Sequence, residues 1–168
     1  VGDTVPLPLF NTNMTEERRV AQADTVVTAN RGRAFFIQYI SSTVSGLTYI
    51  VNILPNDSIF APPCNGYAFP GSSSYAMGFA PSSSFAGCWN FGSHSVAAHE
   101  YGHVALFMLD DALNFHYGFH EGFADTFGNM LNDDSVQGRQ HYTSGSNFRE
   151  DPTSSGINCQ YPLSSNCA

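Results

Sequence analysis

The apolar positions of this chain fall into blocks with different periods. The longest runs Val96-Ala97-Ala98-His99-Glu100-Tyr101-Gly102-His103-Val104-Ala105-Leu106-Phe107-Met108-Leu109 without a proline, and predicts a buried helix. Residues 15–41 have helix-forming composition, opening at Thr15-Glu16-Glu17 with acids in the first turn. Val20, Val27, Phe35, Phe36, Ile37 and Ile40 are the apolar members of that helix, and Gly32 is its weak point. Leu47-Thr48-Tyr49-Ile50-Val51-Asn52-Ile53-Leu54 is rich in β-branched and aromatic residues and predicts a central strand. Residues 55–95, full of Pro, Gly and Ser, predict loops and short strands; Gly66-Tyr67-Ala68-Phe69 and Tyr75-Ala76-Met77-Gly78-Phe79 flank a Gly-Ser-Ser-Ser turn. A second helix is predicted over His120–Leu131, with Phe123, Phe127, Met130 and Leu131 as its core face. The fold class is therefore α+β: a long N-terminal helix, a small mixed sheet and a buried central helix. No repeat, linker or second domain interrupts residues 1–168, which read as a single domain.

The buried helix carries chemistry. His99-Glu100-Tyr101-Gly102-His103 has the spacing H-E-x-x-H, and residues four apart on a helix stand on one face. Two imidazoles so placed can hold one tetrahedral metal ion, while Glu100, about 100° further round, can take a proton from bound water. Two histidines and a glutamate in an apolar helix are costly unless something satisfies them, and a metal does. Zinc suits nitrogen and oxygen ligands and brings the pKa of its water to roughly 7.

A hydrolytic site needs a third protein ligand and an open fourth position. The metzincin extension would require glycine and histidine at 106 and 109, where Leu106 and Leu109 stand. Asp110 and Asp111 follow so closely that they read as the solvated end of the same helix. Glu121, in the second helix, is the better candidate, and Asp125 lies one turn further on. A second acid there can accept the free N–H of a ligand imidazole, fixing its tautomer.

HEYGH followed by HEGFAD resembles the gluzincin metallopeptidases, in particular the thermolysin and fungalysin group. The resemblance, over about residues 20–155, implies a zincin-like fold, zinc ligands at His99, His103 and Glu121, a general base at Glu100 and a supporting acid at Asp125. The paired short strands are similar to that group's edge hairpin, which implies substrate-strand contacts at Tyr67, Ala68 and Phe69. Phe148-Arg149-Glu150-Asp151-Pro152 loosely resembles its arginine segment, making Arg149 a substrate-carbonyl candidate. His141 and Tyr142 could donate to an oxyanion, although nothing local places them near the metal. His94, His116 and His120 read as surface or shell residues.

The group's oxyanion donor comes from a segment well after the arginine region, whereas this sequence stops at Ala168. The expectation is thus a partial zincin domain, truncated at its C-terminus, with a further segment or chain completing the site. The function expected is zinc-dependent endopeptidase activity on polypeptides. The alternative is a non-catalytic zinc-binding structural or assembly subunit. An exopeptidase is weaker, since no terminus-binding acid cluster is evident.

Charge and cysteines narrow the setting. All six basic residues are arginine, and a net charge of −8 argues against nucleic acid or an anionic membrane as partner. No run of eighteen apolar residues exists to span a bilayer, and Val1 reads as a processed or trimmed terminus. Cys64, Cys88, Cys159 and Cys167 lack C-x-x-C spacing, so disulfides in an oxidising, secreted setting fit better than a zinc knuckle. Sequence neighbourhood favours Cys64–Cys88 and Cys159–Cys167 among the three pairings. Asn13 and Asn56 open glycosylation sequons, and Asn132-Asp133-Asp134 is a weak calcium candidate beside the solvated helix exit it resembles.

Overall fold

The computed structural model describes residues 15–109, 117–134, 136–137, 144 and 149–150. Helix α1, Glu16–Tyr39, begins where the sequence places it. Thr15 is its N-cap, accepting a hydrogen bond from Arg18 N–H, and Glu16 and Glu17 complement the positive end of the helix. Gly32 does not break it. The Tyr101 ring lies so close that a Cβ at Gly32 would stand 2.6 Å from it, so the glycine lets α1 settle on the central helix.

The three-stranded sheet has order β1-β3-β2: β1 (Ile50–Pro55) runs parallel to β3 (Ser74–Phe79), and β2 (Gly66–Pro70) antiparallel to it. Two strand expectations are corrected. The segment starting at Leu47 opens with a 3₁₀ turn, Ser45–Thr48, closed by the Thr48 hydroxyl donating to Ser45 O, so the strand begins only at Ile50. It is also an edge strand, alternating exposed and half-buried residues. The central place goes to β3, whose Tyr75–Phe79 run is buried throughout. Composition could not separate them, because β3 mixes Ala, Met and Gly with its aromatics while β1 has the stronger β-formers.

Helix α2, His94–Leu109, is buried on every side, as its unbroken apolar run predicts. It packs against α1, the 3₁₀ turn, β2, β3 and, most extensively, α3 (Tyr117–Asn132). At that crossing a Cβ on Gly102 would stand 2.7 Å from the Ala124 Cα, so the two backbones approach as closely as glycine permits. Phe36, Met77, Phe79, Phe91, Val96 and Val104 fill the core between helices and sheet, joined by Phe127 from α3. Met130, expected on the core face, is 63 % exposed. It lies nine residues from Glu121, about 180° round the helix, and Glu121 is turned toward α2.

The Cys64–Cys88 disulfide forms, tying the approach to β2 to the loop before α2. Cys159 and Cys167 lie outside the described residues, as do Asn13, Asp110, Asp111, His116, His141 and Tyr142. A short ribbon, β4 (Val136–Gln137) with β5 (Arg149–Glu150), packs through β4 against α2 and α3. Among the described residues no helix is long and apolar enough to cross a membrane.

Candidate metal centre

His99 and His103 stand one turn apart on α2 and face α3, their rings 4.8 Å apart and nearly perpendicular. His99, Glu100 and His103 bring ligand atoms within 4.8 Å of one another, and all three residues are buried. This is the one cluster of its kind among the described residues; Asp133 and Asp134 belong to the exit of α3, where Asp133 adopts φ 52°.

Glu121 comes from the facing helix, placed by the tight crossing at Gly102. Its carboxylate straddles the imidazoles, with Oε2 3.5 Å from His99 Nε2 and Oε1 3.5 Å from His103 Nε2. Each oxygen thus lies about one ligand–ligand spacing from an imidazole nitrogen, a spacing of roughly 3.4 Å for zinc bonds of about 2.1 Å. One turn along α3, Asp125 Oδ1 lies 2.7 Å from His99 Nδ1. That bond holds a ring proton on Nδ1 and turns Nε2 toward Glu121, where it can ligate a metal once its own proton has left.

The electrostatics favour a cation. Burial alone would keep His99 neutral, but the carboxylates of Asp125, Glu121 and Glu100 outweigh it and push the imidazole up to about 9. A pocket that draws a proton this strongly, with buried oxygen and nitrogen donors, is chemically suited to a divalent metal ion. Such an ion would discharge the proton and take its place.

The cluster opens into a cleft of about 300 Å³, walled by Asn65, Gly66, Tyr67 and Ala68 on β2 and by Phe107, His120 and the cluster itself on the helices. Among the described residues, strand β2 stands at one edge of the sheet. Asn65 O accepts from Ala80 N–H and Gly71 N–H donates to Ser74 O, so with Gly66 opposite Phe79 the odd-numbered residues of β2 bond to β3. The backbone groups of Gly66 and Ala68 therefore face away from β3, along the open edge. Pro70, in the same phase, has no N–H to offer.

The three candidate substrate-strand residues, Tyr67, Ala68 and Phe69, are placed differently. Ala68 has the orientation that strand pairing requires, and Gly66 joins it. Tyr67 lines the cleft, and its side-chain hydroxyl donates to Asp57 Oδ2 at 2.6 Å. Burial and then the Asp57 carboxylate raise the Tyr67 hydroxyl far above its ordinary value. Asp57 Oδ1 also accepts from Ile59 and Phe60 N–H. Although burial pushes the other way, these bonds hold the Asp57 carboxyl below its ordinary 3.8. Phe69 stacks on Tyr67 at 5.6 Å, half exposed and outside the cleft lining.

Arg149 sits in β5 opposite Gln137. His94 opens α2 and does not line the cleft. His120 does, its ring 5.8 Å from that of His103 and 5.5 Å from Phe107. The sequence reads His120 as a surface or shell residue and does not single out Asn65; each adjoins a candidate, Glu121 and the Tyr67–Phe69 strand. Compared with known protein families and with curated proteins, the chain finds no match.

Proposed function

We propose that this chain is a secreted, zinc-dependent endopeptidase domain of zincin-like architecture, with zinc held by His99, His103 and Glu121. The observation that carries the reading is the joint placement of Glu121 3.5 Å from both imidazole Nε2 atoms and Asp125 2.7 Å from His99 Nδ1. Bound zinc would supply Lewis acidity toward a peptide carbonyl and toward the attacking water. Asp125 orients His99 and keeps its proton on Nδ1. Glu100, buried beside the pair and at the wall of the cleft, takes the proton from the water and returns one to the leaving amine. The open edge at Gly66 and Ala68 pairs with an extended polypeptide and lays its backbone along the cleft. The disulfide supports an oxidising compartment, and intact Glu100 favours catalysis over a structural ion, which needs no base and prefers a closed four-ligand shell.

The test is zinc stoichiometry by elemental analysis together with hydrolysis of an unfolded protein such as casein. Chelator-sensitive cleavage, lowered about 10²–10⁴-fold by Glu100→Gln with the zinc content unchanged, is the expected result. One zinc without cleavage identifies the non-catalytic scaffold instead, and no zinc removes both readings.

A further inference from the structure

We propose that Gly66 is the positioning residue for the Glu100 carboxylate. The inference rests on the role given to Glu100 above, but its geometry stands apart from it. Strand β2 crosses directly over this side chain: a Cβ built on Gly66 would lie 2.7 Å from Glu100 Oε1 and 3.2 Å from both Cδ and Cγ. Three consecutive atoms of one side chain are thus in contact with the place a methyl group would occupy. Both residues are buried.

The glycine is not there for backbone freedom. Gly66 is the first residue of a regular strand, in register with Phe79, and is absent from the positive-φ positions of the described residues. Nor does it accommodate a neighbouring backbone, as Gly102 does against Ala124. What its missing side chain admits is the far end of Glu100. The strand backbone then closes over the carboxylate, and the side chain is confined between β2 and α2.

The wall is itself held in place. Tyr67 packs over Gly78, where a Cβ would meet the ring at 2.2 Å, and its hydroxyl is fastened to Asp57; Cys64, two residues before Gly66, is tied to Cys88. Strand β2 therefore yields less readily than a flexible carboxylate. Alanine at 66 should leave the strand in place and move Glu100, by roughly 0.7 Å if the 2.7 Å approach relaxes to an ordinary 3.4 Å contact. A misplacement near 1 Å can cost about 10²-fold in rate.

The test compares Gly66→Ala with the wild-type chain, both loaded with zinc, by crystallography and by steady-state kinetics. The expected result is a displaced Glu100 carboxylate with β2 superimposable. The kinetics should show kcat lowered about 10–100-fold, KM little changed and zinc affinity within about twofold of wild type. Unmoved Glu100, or a β2 that shifts instead, overturns the proposal whether or not the wild-type chain cleaves peptides. A wild-type chain that binds zinc without cleaving removes the endopeptidase reading but leaves the structural comparison decisive for Gly66. Should Gly66→Ala destabilise the fold, Gly66→Ala/Glu100→Asp, one methylene shorter, recovers the thermal midpoint if the clash is with Glu100. Failure to recover places the clash elsewhere and overturns the proposal.

Discussion

At the scale of single residues, the centre depends on how carboxylates divide their work around two imidazoles. Asp125 meets His99 at its outer nitrogen, so its removal should loosen the metal without deleting a ligand. Asp125→Asn is expected to weaken zinc affinity about 10–100-fold, read by competition with a chromophoric chelator, whereas His99→Ala or Glu121→Ala should abolish tight binding. The same carboxylates set a pH dependence. Folding raises the His99 pKa from 6.5 to about 9 in the metal-free chain, so its contribution to stability is complete below 6.5 and is lost as pH rises through about 9. Zinc must displace that proton. Its apparent affinity should therefore rise by about tenfold per pH unit from 6.5 and level off above 9, with proton release measurable by calorimetry in buffers of different ionisation enthalpy. An affinity independent of pH over this window would show that the imidazole is already neutral in the metal-free protein.

At the scale of elements, the site is assembled where α2 meets α3, and Gly102 governs the approach. A methyl group there meets the Ala124 backbone, which cannot swing aside as a side-chain tip can. Gly102→Ala is expected to cost about 1–3 kcal/mol in denaturant unfolding and to weaken zinc binding, because Glu121 recedes with its helix. The Cys64–Cys88 bridge closes a chain separation of 24 residues, tying the approach to β2 to the loop before α2. Replacing both cysteines by serine should cost about 3 kcal/mol and blur the cleft edge, seen as a raised KM.

The helices were the legible elements. Thr15-Glu16-Glu17 announced the start of α1, and the proline-free run 96–109 could hardly be anything but a buried helix. The order of strands was not legible, because Leu47–Leu54 and Tyr75–Phe79 are both short apolar runs and burial on two faces depends on what packs above them. Met130 shows a related limit. Its hydrophobicity fitted the core face, but the placement of Glu121 and Ala124 against α2 fixes the rotation of α3 and carries Met130 to solvent.

At the scale of the whole molecule, the α+β frame is a device for bringing two short sequence motifs, HEYGH and HEGFAD, onto facing helices beneath a sheet edge. Both motifs could be read in the sequence, since each is a local spacing on one helix. Their mutual distance could not, and neither could the involvement of Gly66 and His120, because these depend on how β2 and α3 lie over α2. The proposed metal centre stands on that convergence. Its most direct test is a crystal structure of the zinc-loaded protein with anomalous diffraction collected at the zinc edge. One strong peak is expected about 2.0–2.2 Å from His99 Nε2, His103 Nε2 and a Glu121 oxygen, with Glu100 beside it and not bonded to it. A peak elsewhere, or one held by Glu100 with Glu121 turned away, would contradict it.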